Sequence, residues 1–208
     1  MNDMTEAVDR IQAAIAKDEK IMVYGDYDVD GTTAVALMYG FLKTIYPDVV
    51  FYIPDRYKEG YGISEKGVRF AAENEIKLII ALDCGIKAIE KVALATELGV
   101  DFIICDLVAV SIAADIVPIT GENRILAYYG LDRLNNTPRP GLKALMLSSN
   151  LEKDIGISDV VFKIGPRINA SGRLEHAKAS VELLISSDLE GAMERAKVVD
   201  EVNATRRN

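Results

Sequence analysis

Three carboxylates, Asp26, Asp28 and Asp30, fall within five residues of the stretch YGDYDVDGTT. Facing inward together they would repel one another strongly. A divalent cation at their focus removes that penalty, and hard ions such as Mg2+ and Mn2+ prefer oxygen ligands. The apolar residues 21–24 before them read as a buried strand, and Gly25 allows a sharp exit. Gly31 reads as opening a second turn before a helix over residues 32–46. In open α/β sheets, sites form just beyond the carboxyl ends of strands. The alternative is a solvated acidic turn. Asp83 repeats the pattern: it ends the apolar run 77–82 and is followed by Cys84 and Gly85. Asp106 ends the run 101–105 in the same way, and Asp115 lies in the small apolar segment AADIVP. A carboxylate there is costly to bury unless it is paired or metal-bound. As an alternative, Asp83, Asp106 and Asp115 cap helices or pair with arginines.

Two basic stretches complement the acids. Arg167, Asn169 and Arg173 stand in GPRINASGR, which reads as a loop bounded by proline and glycine. Arginine grips phosphate oxygens with two parallel N–H bonds, and Ser171-Gly172 could add backbone donors at the next helix start. The plainer reading pairs these arginines with the acidic cluster. Arg56, Tyr57, Lys58 and Tyr61 in PDRYKEGYG form a second candidate contact loop, since a tyrosine beside a basic residue suits a stacked base and its phosphate. A solvated loop fits that stretch equally well. The only histidine, His176, stands at a helix start and reads as a surface or capping residue.

These residues need a scaffold, and the chain alternates helix and strand to supply one. Helices are expected over residues 5–19, 32–46, 64–75 and 87–98, and strands over 21–24, 49–53, 77–82 and 101–105. That order predicts an α/β fold, a parallel sheet with helices on both faces. From residue 107 the pattern becomes mainly helical, with helices over 123–134, 142–148, 174–185 and 188–207. The division is thus 1–106, the parallel-sheet half, and 107–208, the helical remainder. The charged end NATRRN has no stop signal and reads as a linker helix leading to a further domain. Half of the 208 residues are hydrophobic, enough for a sizeable core. A net charge of −8 argues against a basic nucleic-acid coat, but not against a nuclease whose acidic site is neutralised by metal. Cys84 and Cys105 read as buried thiols of a reducing compartment. Neither a signal pattern nor a membrane-length apolar run is visible, so the expectation is a soluble cytoplasmic protein.

Together the stretches VYGDYDVDGTTA, IPDRYKEGYGIS, ALDCGI, LVAVSIAADIVPITGENR, RPGLKAL and FKIGPRINASGRL resemble the DHH phosphoesterase family, in its order and over nearly the whole chain. Tyr24 stands four residues before Asp28, where phosphatase and oligonucleotide-degrading members usually carry histidine. That tilts the resemblance toward the single-stranded-DNA exonuclease branch. The resemblance implies a two-metal phosphodiesterase, dependent on Mn2+ or Mg2+, that degrades single-stranded DNA from its 5′ end in recombination and repair. It implies Asp28, Asp30, Asp83 and Asp115 as catalytic metal ligands, with Asp106 a further candidate and Asp26 supporting. Arg167, Asn169 and Arg173 match the family's PRINA stretch, for which phosphate contact is inferred.

One departure stands out. The family is named for Asp-His-His after the fourth strand, yet Asp106 is followed here by Leu107 and Val108. An Asp-Leu-Val-Ala stretch occurs in such chains tens of residues after the histidine pair, so the sequence reads as spliced. The family's C-terminal DHH-associated domain is also missing. A site without the histidines loses nitrogen ligands. This chain is therefore expected to cut weakly or not at all. Two other readings stay open: a phosphoesterase of short oligonucleotides or nucleotides, and a non-catalytic scaffold.

Overall fold

The computed structural model describes residues 4–85, 87–105, 121–152, 154–173 and 177–207. They begin with α1 (Met4–Ala16), β1 (Lys20–Gly25), α2 (Val29–Ile45) and β2 (Val49–Tyr52). There follow α3 (Glu65–Glu73), β3 (Ile76–Leu82), α4 (Ile89–Glu97) and β4 (Asp101–Cys105). The helical part comprises α5 (Gly121–Asn136), α6 (Pro140–Ser148), α7 (Gly165–Arg173), α8 (Ala177–Leu184) and α9 (Leu189–Arg207). The described residues pack as two compact units: Met1–Asp26 with Leu37–Asp106, and Tyr27–Ala36 with Leu107–Asn208. The boundary therefore falls inside α2.

In the first unit the strands form one parallel sheet in the order β2-β1-β3-β4. The expected α/β architecture is thus present. Parallel strands covered on both faces read as near-continuous apolar runs, and IMVY in β1 and LIIAL in β3 are buried throughout. Tyr24, Met22, Ile79, Ala81, Val68 and Ala71 belong to one core cluster. Ser64 caps α3, its Oγ accepting the Gly67 N–H at 2.9 Å. Outside the core, Arg10 of α1 joins Asp101 at 2.7 Å and Glu19 at 2.8 Å.

Gly67 marks where α3 approaches the sheet most closely. A Cβ there would stand 2.7 Å from Tyr24 Cε2 and 3.2 Å from Tyr52 Cε1. Both rings are stacked at 5.4 Å, so neither can swing away. Alanine would gain about 1 kcal/mol of helix propensity but meets an overpacking cost of ~1–3 kcal/mol. Gly67→Ala is therefore expected to lower stability by up to about 2 kcal/mol, measured by urea unfolding. A stabilised variant would mean the ring pair yields.

In the second unit α9 packs against α6, α7 and α8. Asn135 imitates a strand partner, accepting the Ile155 N–H at 2.8 Å and donating to Ile155 O at 3.0 Å. The stretch GPRINASGR is helix α7, not the expected loop. A helical turn (Ile157–Asp159) and a π-helix (Val160–Ile164) lead directly into it. Pro166 lacks an N–H, and its ring would strike the carbonyl four residues back in a regular helix. The wider π turn, with the Gly165 N–H reaching Val160 O, precedes that position and lets the chain continue.

Candidate metal centre and loop network

The acidic stretch departs from its expected form. The helix begins at Val29, not residue 32, and Gly31 lies inside it. Asp28 explains the early start: its Oδ1 accepts the Gly31 N–H at 2.9 Å, and its carbonyl accepts Thr32 N–H at 3.0 Å. A side-chain oxygen bound to the third amide of a helix is an N-cap, and it fixes the carboxylate's orientation. Asp30 sits buried in the first helical turn. Thr33 Oγ1 donates to Val29 O at 2.7 Å, tightening the same turn.

In the sheet unit, Gly25 of β1 pairs with Leu82 of β3. Asp26 and Asp83 are thus the first residues past the same carboxyl edge. Asp83 adopts φ 57°, a left-handed conformation that asparagine and aspartate tolerate better than most residues. Such conformations cluster at functional sites. Asp26 is fully buried, and its Oδ2 accepts the Gly62 N–H at 2.6 Å. It ties the end of β1 to the loop after β2. Cys84 beside Asp83 is half-buried and in no disulfide.

That loop is organised by a network through Tyr24, Tyr52, Ser64 and Glu59, of which the sequence singled out only Tyr24. Tyr24 is buried in β1, and its hydroxyl donates to Gly62 O at 3.0 Å and accepts the Ser64 N–H at 3.0 Å. It stacks on Tyr52, its register partner on β2. The Tyr52 hydroxyl donates to Glu59 Oε2 at 2.8 Å, and Ser64 Oγ donates to the same oxygen at 2.6 Å. Glu59 Oε1 accepts the Asp55 N–H at 2.9 Å, while Asp55 Oδ1 caps the turn through Tyr57 N and Lys58 N. Burial pushes the Glu59 carboxyl up, but bonds from Ser64, Asp55 and Tyr52 and the nearby Lys66 charge outweigh it. The net result lies below the ordinary Glu value. Burial raises the Tyr24 phenol, and burial followed by the Glu59 carboxylate raises that of Tyr52. A legible signal existed: Tyr24 and Tyr52 end neighbouring strands, and Glu59 follows Asp55 by one helical turn.

The loop also borders a cleft. A cavity of about 700 Å³ is lined by Tyr61, Gly62 and Ile63, and by Asp83, Gly85 and Lys87 past β3. Loop and strand end touch, since a Cβ on Gly85 would stand 2.6 Å from Ile63 Cδ1. Gly85 has φ 106°, so glycine is needed there twice over. Arg56, Tyr57 and Lys58 are exposed on the same loop.

The phosphate-binding candidates are placed differently. Arg167 Nε donates to Asp200 Oδ1 of α9 at 2.5 Å, and its other nitrogens reach Lys163 O at 2.7 Å and Ser148 O at 3.5 Å. It joins three parts of the helical unit, which is the plainer arginine–carboxylate reading with a different acid. Asn169 is half-buried in α7. The Arg173 side chain, Asp106, Asp115 and His176 lie outside what the structure describes. Among the described residues, no three Asp, Glu, His or Cys side chains converge as a metal-holding group. No described helix is long and apolar enough to cross a membrane.

Residues 20–116 match the DHH family, N-terminal domain. The single-stranded-DNA-specific exonuclease RecJ of Bacillus subtilis is 38% identical over 261 positions, covering 99% of this chain and 33% of its own. RecJ of Haemophilus influenzae is 28% identical, with 97% and 47% covered. A crystal structure of exonuclease RecJ bound to manganese superposes with TM-score 0.87 at 27% identity, over 97% of this chain and 66% of that one. RecJ from Thermus thermophilus in complex with Mn2+ gives 0.86 at 25% identity, over 100% and 38%. The chain thus spans a third to a half of these curated relatives. An alignment of 261 positions over 208 residues leaves at least 53 positions of the B. subtilis protein without a counterpart here. The sheet order, the strand-end aspartates and these likenesses point the same way: residues 20–116 match the DHH family, N-terminal domain, and the chain is similar to RecJ exonucleases over nearly its whole length.

Proposed function

We propose that this chain is the DHH-domain part of a metal-dependent phosphodiesterase that degrades single-stranded DNA from its 5′ end, in cytoplasmic repair and recombination. The observation that carries the reading is Asp83, held left-handed past a buried strand and lining a cleft. The similarity to exonuclease RecJ over 99% of the chain supports the substrate class.

The donor set fits Mn2+ or Mg2+, because every candidate ligand is a carboxylate. Asp28, Asp30, Asp83 and Asp115 would hold the metals, with Asp106 a further candidate. When bound, the metals supply Lewis-acid chemistry, activating water and neutralising charge on the phosphate. The chain's own residues do the rest. The capping bond fixes Asp28 in one orientation, and the left-handed backbone at Asp83 turns the chain as β3 ends. Asp26 holds the loop at Gly62, and Arg56 with Tyr61 offers charge and a ring to a strand. Asn169 and Arg173 contact phosphate in this reading, whereas Arg167 serves the helical unit through Asp200.

The test is Mn2+-dependent digestion of a long single strand against dinucleotides, by a longer form carrying the positions this chain lacks. Preference for the long strand supports the reading, and preference for dinucleotides favours the small-substrate alternative. The 53 or more unmatched positions favour a second statement about the 208-residue chain itself: it cuts slowly or only binds. Turnover equal to the longer form would remove that statement.

A further inference from the structure

We propose that Glu59 is a positioning residue: its buried carboxylate locks the 54–64 loop so that Tyr61 stands preformed at the Asp83 cleft, with Arg56 exposed on the same loop, for single-stranded nucleic acid. The inference rests on the nuclease reading for its substrate, but not for the lock.

Only 3% of the Glu59 side chain is exposed, although it lies in a polar surface loop. Its two oxygens face donors from three separate elements. The hydroxyl of Tyr52 comes from the end of β2, that of Ser64 from the cap of α3, and the Asp55 N–H from the loop's own start. Lys66 stands 3.5 Å from Oε1, at the solvent side. Bonds to a buried ionised acceptor are about twice as strong as neutral ones. The loop is therefore closed at its base by Glu59 and at its tip by the Asp26 bond to Gly62. Between those clamps lie Gly60 and Tyr61, which is 64% exposed, and Gly62 at the second clamp is, like Gly60, at positive φ. Without clamps, two such glycines would leave Tyr61 with many orientations. Ordering it beforehand spares a strand that entropy on binding.

The geometry also says why a carboxylate is required. A glutamine offers one accepting oxygen and one NH2. With that oxygen on the Asp55 N–H, the NH2 faces the two hydroxyls, whose protons then lose their shared acceptor along with the negative charge. Glu59→Gln thus breaks the lock without creating a cavity, while Glu59→Ala removes it outright.

Arg56–Tyr57 and Lys58–Glu59 are trypsin bonds within this loop and report its order without reference to activity. In the 208-residue chain, Glu59→Gln and Glu59→Ala are expected to speed cleavage at Arg56–Tyr57 by roughly tenfold, the size of losing one charged hydrogen bond. Cleavage outside residues 54–64 should stay at the wild-type rate. In the longer nuclease form, the same variants should raise KM for a single strand several-fold with kcat within about twofold, since uniform binding is what is lost. Unchanged cleavage at Arg56–Tyr57 in both variants overturns the lock. Faster cleavage with unchanged KM overturns the link to substrate. If the wild-type longer form neither binds nor cuts single strands, the nuclease reading and the substrate half fall together, while the trypsin result still decides the lock.

Discussion

Asp83→Asn, in a longer form that digests single-stranded DNA, is expected to cut at least ~10³-fold more slowly, as the loss of several kcal/mol of metal-assisted stabilisation requires. Asparagine is the informative replacement. Asp83 sits at φ 57°, where alanine would add backbone strain and confuse folding with chemistry. Asparagine accepts that conformation and keeps the shape, removing one charge. Asp28→Asn should behave alike, because asparagine caps helices as well as aspartate and would keep the Gly31 bond. Both variants should melt near the wild type. Their loss should persist at saturating substrate, and a metal titration by calorimetry should show weakened Mn2+ binding. If either variant keeps more than a tenth of wild-type turnover, that residue leaves the proposed site.

The largest effect on stability is expected at Gly141. In α6 its Cα lies against the backbone of α8, and a Cβ there would stand 2.8 Å from the Leu183 carbonyl carbon and 2.9 Å from Leu184 Cα, closer still to the Leu183 oxygen. The obstacle is main chain, so no rotamer change relieves it. Gly141→Ala must separate the two helices and disturb Leu145 and Leu183, both buried. The expected cost is about 3 kcal/mol or more, or roughly 6–12 °C in Tm for a chain of this size. Thermal and urea unfolding would measure it. A change below about 1 kcal/mol would mean that α6 and α8 are less closely apposed than described.

Where periodicity carried the information, the sequence was readable. The strands before Asp26 and Asp83 carry their only charges, Lys20 and Lys77, near their starts and are otherwise apolar up to the acids or the glycine before them, because burial is a local demand. The acidic stretch was misjudged because Gly31 is a weak helix former, while the Asp28 cap that overrides it is a single hydrogen bond. GPRINASGR was misjudged for the same kind of reason. Proline and glycine mark loops in isolation, but a π turn absorbs Pro166, and Arg167 anchors the segment to Asp200, far away in sequence. Glu59 was missed because its partners, Tyr52, Ser64 and Asp55, meet only after β2 and α3 are placed. A reading that pairs Tyr24 with Tyr52 across adjacent strands would have pointed to it.

β1 comes first among the strands along the chain, yet it lies between β2 and β3 in the sheet. Ile21 meets Leu78 only 57 residues later. On a ribosome adding ~5–20 residues per second, that wait is roughly 3–11 s. Throughout it a strand that ends fully buried in the folded sheet keeps an open backbone edge, the kind that invites neighbouring chains. Newly made copies should therefore depend on holding chaperones more than the finished molecule's stability would suggest.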